Sequence, residues 1–96
     1  NRRLTAQEAL AWGLVTEVVP DAELMARALT LARGFAQGPT RAYGMVKRLL
    51  AATYTNGLET QMELEASSMA ALAHSHDGPE GIAAFAGRRK PAFRGD

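Results

Sequence analysis

The clearest helix start in the chain lies in residues 77–85, which read DGPEGIAAF. Asp77 is placed to cap a helix, a proline suits the first turn, and Glu80 follows three residues after the cap. These signals predict a last short helix over residues 81–89, which Pro91 stops. The segments upstream carry the same kind of start and stop signals, so the chain is predicted to be a series of helices.

The first twenty residues are predicted to hold a short helix and an extended segment. Thr5 and Glu8 have the spacing of a capping box, which opens a helix over residues 6–12. Gly13 is placed to end this helix. Residues 14–19, LVTEVV, form a β-branched run that is typical of a short strand-like segment.

Three longer helices are predicted from apolar side chains that recur at helical spacing. Asp21 is placed to cap the first, and Thr40 caps the second after a break at residues 38–39. The third helix is the longest and runs from Leu58 to about Ser75. The sequence therefore predicts a mostly helical unit with at most one short strand.

Composition excludes several classes of protein. The chain has 96 residues, of which 47% are hydrophobic and 22% charged, and its net charge is +1. These values predict one domain rather than a disordered segment, and no apolar run is long enough to span a bilayer. The absence of Cys excludes disulfides, Cys-ligated zinc and a thiol nucleophile, and it fits a reducing, cytoplasmic location. The small net charge gives no argument for nucleic-acid binding.

Chain length also limits how well the helices can bury their apolar faces. Ordering the chain costs on the order of 140 kcal/mol. At ~25 cal/mol/Å², this cost requires roughly 5,800 Å² of apolar burial. Compaction of such a chain removes about 9,600 Å² of total surface, somewhat over half of it apolar. A compact form just breaks even, so an open helical array needs a partner chain or a further part of the protein.

Few side chains have the spacing of a catalytic or metal site. His74 and His76 are two residues apart, so on a helix they point to different faces, and a metal would need further ligands. Glu59 and Glu63 are one turn apart and form either an acidic pair or part of a solvated face. Residues 67–68, both serine, have no His or Lys at a useful spacing. The sequence favours structural roles for all of these residues.

The basic end of the chain is a candidate binding site. Guanidinium groups grip phosphate oxygens, and a phenyl ring offers a face to a base. A solvated basic terminus and a small nucleic-acid-binding site are the alternatives. The residues concerned are Phe85, Arg88, Arg89, Lys90, Phe93 and Arg94.

Three blocks, in order and spanning nearly the whole chain, match the motifs of one enzyme family. Residues 6–19, AQEALAWGLVTEVV, are similar to A-x-E-A-x-x-x-G-L-V-x-x-V-V, and residues 38–47, GPTRAYGMVK, to g-p-t-x-a-x-x-x-x-K. Residues 77–95, DGPEGIAAFAGRRKPAFRG, are similar to D-x-x-E-G-x-x-A-F-x-x-[KR]-R-x-P-x-F-x-G. Together they resemble the enoyl-CoA hydratase/isomerase (crotonase) superfamily. Residues 56–61, NGLETQ, also resemble its branch of ring-epoxide and enoyl-CoA isomerases of phenylacetate degradation.

The resemblance implies the C-terminal helical oligomerisation segment of a crotonase (ClpP/crotonase-like) fold. Residues 1–20 would end the β/α core, and residues 21–96 would form the helical trimerisation and lid region. A parent enzyme of this family binds an acyl-CoA thioester, stabilises its enolate with two backbone N–H groups, and hydrates or isomerises a 2-enoyl-CoA. Those N–H groups and the acidic residues lie upstream, so no catalytic residue is expected here, and the segment alone is predicted to be inactive. No metal or redox cofactor is implied.

The resemblance further implies partners and two ligand contacts. Family members assemble into trimers or hexamers, and Phe85 and Arg88 correspond to residues that approach the CoA of a neighbouring subunit. Lys is usual at the second position, so Arg88 departs from the pattern, although Arg also suits a phosphate. The expected partners are an acyl-CoA thioester and further copies of the chain, without nucleic acid or membrane. The alternative is a free-standing helical protein-interaction module without catalysis.

Overall fold

A computed structural model describes residues 1–96, and its regular elements are helices joined by irregular segments, which confirms the predicted mostly helical class. It contains no strand, and none of its helices is long and apolar enough to cross a membrane. The chain divides into two units, Asn1–Leu31 and Ala32–Asp96. The elements are α1 (Ala6–Ala11), a 3₁₀ turn (Asp21–Glu23), α2 (Leu24–Ala36), α3 (Thr40–Thr53), α4 (Leu58–Ala73) and α5 (Asp77–Ala86).

The predicted capping box and glycine stop define α1 in the first unit. The Glu8 amide donates to the Thr5 hydroxyl over 3.2 Å, and the Glu8 carboxylate accepts from the Thr5 amide over 2.9 Å. Gly13 has a left-handed backbone with φ of 71°. The amide of Leu14 donates back to the carbonyl of Ala9 over 2.8 Å, which closes the helix end in a Schellman motif.

The segment after α1, predicted to be strand-like, forms no strand, which agrees with the prediction of at most one short strand. The amides of Leu14 and Val15 both point back to the Ala9 carbonyl, so the run starts as a turn instead of extending. Its later part is tied to α2 by an ion pair in which the Arg27 Nε donates to both carboxylate oxygens of Glu17, over 2.9 and 3.0 Å. The β-branched residues of this run favour extended backbone, but a strand also needs a neighbouring strand with which to pair, and the structure contains none.

Helix α4 is the centre of the second unit and packs against both α3 and α5. The turn between α3 and α4 is closed by Gln61, whose side-chain amide donates to the Leu49 carbonyl and accepts from the Asn56 amide group. Ala84 is the one buried apolar residue of the chain. Large apolar side chains on α3 and α4, and Tyr54 directly after α3, remain mostly exposed; those on the helices include Leu50, Leu58, Met62 and Met69. The helices therefore leave most of their apolar surface uncovered, as the chain length predicts.

The caps predicted at Asp21 and Thr40 are absent, and three helices differ from their predicted bounds. Helix α1 ends at Ala11 instead of residue 12, and α5 spans Asp77–Ala86 instead of residues 81–89. Asp21 starts a 3₁₀ turn and makes no side-chain cap bond, and Thr40 is the first residue of α3 with Pro39 before it. In each case a proline stands at the cap position, so the polar residue lies one place too far along to act as a cap. Helix α4 ends at Ala73 instead of Ser75.

Candidate functional site

The start of α5 is capped by Ser75, not by Asp77 as predicted. The Ser75 hydroxyl donates to the Leu72 carbonyl over 2.7 Å and accepts from the Gly78 amide over 3.1 Å. Ser75 is only 8% exposed, so both bonds are shielded from water. One side chain thus ends α4 and begins α5, and it frees the Asp77 carboxylate for other partners.

Asp77 instead holds the end of the chain. Its two carboxylate oxygens accept from the amides of Arg94 over 2.7 Å and Gly95 over 2.8 Å, and its own amide donates to the Asp96 carbonyl over 3.2 Å. Burial favours a raised pKa for Asp77, but the two amides and the neighbouring His76 outweigh it and lower the pKa. Asp77 therefore stays ionised and clasps the chain end.

Glu80 holds the same segment one turn further along α5. Its carboxylate accepts from Arg89 Nη1 over 2.6 Å and Nη2 over 2.8 Å, and from the Ala92 amide over 2.7 Å. The paired guanidinium and this amide lower the pKa of Glu80 to about 2. Residues 89–96, named here the C-terminal strap, are thereby fixed to the first turns of α5.

Phe85 and Arg88, the two predicted ligand-contact residues, both lie at the end of α5. Phe85 is 88% exposed, and Ile82, three residues earlier on the same helix face, is also largely exposed. Arg88 is exposed, and its amide donates to the Phe85 carbonyl over 3.1 Å. A backbone hydrogen bond joins the two residues, and both side chains are exposed. A guanidinium suits a phosphate group and a phenyl ring suits a base.

Three of the four basic side chains near the chain end have no ionic or hydrogen-bond partner. Only the Arg89 guanidinium is used, in the pair with Glu80. The side chains of Arg88, Lys90 and Arg94 make no such contact. These residues therefore form a positively charged surface that is open to an anionic ligand. This surface is compatible both with a phosphate-binding site and with a solvated basic terminus.

His74 and His76 do not come together as ligands of one metal site. His74 is the exposed residue that follows α4. His76 Nδ1 lies 3.4 Å from Asp77 and 3.8 Å from the carboxylate of Asp96, and the ligand atoms of these three residues lie within 4.8 Å of one another. Both oxygens of Asp77 already accept backbone amides, so the cluster acts as a clasp for the strap.

The carboxylates and serines of α4 likewise do not converge. Glu59 and Glu63 are exposed and make no hydrogen bond or ion pair. The Ser67 hydroxyl donates to the Leu64 carbonyl over 3.0 Å, a bond within its own helix. No nucleophile–base pair is present on this helix.

An open apolar groove of about 590 Å³ lies beside α3. Phe35 and Tyr43 pack edge to face there, with ring centroids 5.9 Å apart. The remaining lining is Thr40, Gly44, Val46 and Lys47. The groove offers apolar area with one ammonium group and two hydroxyl groups.

The sequence analysis predicted Phe85 and Arg88 as ligand contacts, and it did not predict the strap that follows them. The signal was present, because Asp77, Glu80, Arg89 and Gly95 are all fixed letters of the third motif block. Their pairing was not visible, since the partners are 9 to 18 residues apart and belong to an irregular segment.

Comparison with known proteins assigns the family. The family model for enoyl-CoA hydratase/isomerase matches residues 1–96. The chain therefore belongs to the enoyl-CoA hydratase/isomerase family.

Individual relatives agree in sequence and in structure. The chain is 38% identical over 95 residues to 1,2-epoxyphenylacetyl-CoA isomerase of Escherichia coli K12, with 99% of this chain and 36% of that protein covered. It is 37% identical over 99 residues to carnitinyl-CoA dehydratase of Salmonella arizonae, with 99% and 38% covered. The crystal structure of an enoyl-CoA hydratase from Geobacillus kaustophilus HTA426 matches with a TM-score of 0.88 and 33% identity, with 97% and 35% covered. The chain thus spans little more than a third of the length of these proteins.

Proposed function

We propose that this chain is the C-terminal helical part of a longer enzyme that acts on acyl-CoA thioesters. The whole enzyme would stabilise a thioester enolate and hydrate or isomerise a 2-enoyl-CoA, with the reacting groups upstream of these residues. The observation that carries the proposal is the family match over all 96 residues together with coverage of only 36% of a relative such as the Escherichia coli isomerase. The predicted division into residues 1–20 as the end of the core and 21–96 as the helical region belongs to this proposal.

Phe85 and Arg88 are proposed to contact the CoA bound by a neighbouring subunit. Support comes from their exposure and from the unpaired guanidinium of Arg88. A phosphate would give Arg88 the charge-assisted hydrogen bonds that it lacks within its own chain. The Phe85 ring would supply a flat apolar face for the adenine base.

The helices are proposed to assemble the enzyme into trimers or hexamers. The second unit leaves Tyr54 90% exposed and Leu58 70% exposed. Apolar area of this kind is normally covered in the assembled protein. Sedimentation of the full-length protein would test this, because a monomer at micromolar concentration would contradict it.

The experiment that tests the function is an assay of crotonyl-CoA hydration and of 1,2-epoxyphenylacetyl-CoA isomerisation by the full-length protein and by residues 1–96 alone. Activity is expected only in the full-length protein, and turnover by the isolated chain would contradict the upstream location of the chemistry. In the full-length protein, Arg88→Ala is expected to raise KM about tenfold with little change in kcat, because a remote phosphate contact gives uniform binding. Arg48→Ala, which removes an exposed unpaired cation from α3, is the matched control and is expected to leave KM unchanged.

The exposed apolar side chains also favour a second function, a helical protein-interaction module without catalysis. The two proposals differ in one measurement, since an interaction module would show no thioester turnover in any form of the protein.

Within the enzyme proposal, the choice between hydratase and isomerase is tested by product analysis. The motif at residues 56–61 and the similarity to 1,2-epoxyphenylacetyl-CoA isomerase favour isomerase activity on a ring epoxide of an arylacetyl-CoA.

A further inference from the structure

Arg88 occupies a backbone conformation that normally selects glycine. Its φ is 49°, and it is the one residue other than glycine with a positive φ in the chain. The turn is a Schellman motif, in which the Arg89 amide donates to the Ala84 carbonyl over 3.0 Å. The glycine next to it, Gly87, has an ordinary φ of −82°, so the chain places an arginine rather than its neighbouring glycine at the left-handed position.

The two adjacent arginines at this turn have different surroundings. The Arg89 guanidinium is held by both carboxylate oxygens of Glu80. The Arg88 guanidinium is exposed and has no partner. The left-handed conformation of Arg88 turns the chain away from the axis of α5. The residue that follows the turn, Arg89, is held by Glu80, so the position of the backbone immediately after Arg88 is fixed.

Glu80 reinforces this fixation on the far side of the turn. It also accepts from the Ala92 amide over 2.7 Å, so it holds the strap at two points, three residues apart. Its side chain is only 17% exposed, which limits competition from water. No side chain of α5 other than Glu80 forms a hydrogen bond with Arg89.

We propose that Glu80 is the positioning residue for Arg88. By holding Arg89 and the Ala92 amide, Glu80 keeps the chain in the left-handed turn and presents the Arg88 guanidinium, unpaired, to a phosphate group. This inference rests on the proposed contact of Arg88 with CoA. It adds a residue that touches no ligand and acts through the backbone of its neighbour.

The test uses the full-length protein and two substrates, an enoyl-CoA and the matching enoyl-pantetheine thioester, which lacks all phosphates. Glu80→Gln is expected to raise KM for the CoA ester three- to tenfold, with kcat changed less than twofold and KM for the pantetheine ester unchanged. A general loss of folding would instead alter both substrates alike. Glu8→Gln, which removes an exposed carboxylate from the capping box of α1, is the control and is expected to change neither.

A double variant separates positioning from an independent effect. If Glu80 acts through Arg88, the pair Glu80→Gln and Arg88→Ala is expected to raise KM no more than Arg88→Ala alone. Additive effects would overturn the inference. Arg89→Lys provides a milder change that keeps the charge but loses the two-point grip, and a smaller rise in KM for the CoA ester alone is expected.

The outcomes also distinguish the two proposals. If Arg88→Ala leaves KM for the CoA ester unchanged, the proposed CoA contact is wrong. If Arg88→Ala raises KM while Glu80→Gln does not, the contact stands and the positioning role of Glu80 is overturned.

Discussion

Ser75 and Gly78 are joined by a hydrogen bond of 3.1 Å from the Gly78 amide to the Ser75 hydroxyl, and this bond sets where α5 begins. The same hydroxyl donates to the Leu72 carbonyl in the last turn of α4. Each helix end leaves backbone groups without helical partners, and here one buried hydroxyl satisfies a group from each. The angle between α4 and α5, and with it the position of the strap, depends on this side chain.

Ser75→Ala is expected to destabilise the α4–α5 junction by about 1–2 kcal/mol, because the part-buried Gly78 amide loses its partner, whereas the Leu72 carbonyl keeps the Ser75 backbone amide. The measurement is hydrogen exchange of the Gly78 amide in the full-length protein, supported by thermal unfolding. Ser67→Ala is the control, since that hydroxyl bonds within its own exposed helix face and its loss should change stability by less than about 0.5 kcal/mol. Equal effects of the two variants would contradict the capping role.

Gly78→Ala is expected to cost about 1–3 kcal/mol for a steric reason. A β-carbon on Gly78 would overlap the carbonyl oxygen of Leu72, a backbone atom that cannot rotate away. Gly34→Ala is the matched control, because its β-carbon meets nothing within 4 Å in helix α2. That variant should gain about 0.5–1 kcal/mol from helix propensity. If Gly78→Ala left the free energy of unfolding unchanged, Gly78 would lie further from the Leu72 carbonyl than in this structure.

Acid is expected to release the C-terminal strap. The pKa of Glu80 is lowered to about 2 from an ordinary 4.5, and the pKa of Asp77 is also lowered. A carboxylate with a lowered pKa stabilises the folded protein fully at pH values above its ordinary pKa. This stability is lost as the pH falls towards the pKa that the group has in the folded protein. The strap should therefore loosen between about pH 4.5 and 2. Arg89 and His76 are the cations that face these two carboxylates, and Asp96 is the further acid beside them.

The measurement is the protection factor of the Ala92 amide, which donates to Glu80, as a function of pH. Protection should fall through the acid range in the parent protein. In Glu80→Gln protection should be lower at neutral pH, because the bond from Arg89 is weakened, and its remaining dependence on pH should come from Asp77. Constant protection of this amide from about pH 5 to 2 in the parent protein would contradict an ionised Glu80 as the anchor.

The helices were predictable from sequence because their signals are local. The box at Thr5 and Glu8 and the stop at Gly13 are correct, since each involves residues within one or two turns. The cap of α5 was misassigned because Ser75 and Asp77 are both good caps two residues apart, and the choice depends on the strap. Bonds from Asp77 to residues 17 and 18 positions away leave no periodic pattern in the sequence.

The candidate site was predictable only by resemblance. An exposed phenylalanine and an arginine beside other cations are equally compatible with a solvated terminus, and only the family motif singles out Phe85 and Arg88. The left-handed turn at Arg88 could not be predicted, because Gly87 next to it is the residue that propensity favours for that conformation. The CoA contact of both residues stays a prediction.

Arg88→Gly is expected to separate stability from binding. Glycine adopts a φ of 49° without the crowding of a β-carbon, so the variant should be more stable by about 1 kcal/mol. The same change removes the guanidinium, so KM for a CoA ester should rise about tenfold. Arg88→Ala keeps the β-carbon and is the matched control, with the same rise in KM but no gain in stability. Thermal unfolding and steady-state kinetics of both variants in the full-length protein measure the two effects. A loss of stability in Arg88→Gly would mean that the Arg88 side chain packs against the assembled protein, and that its strained backbone is retained for structure instead of for a ligand.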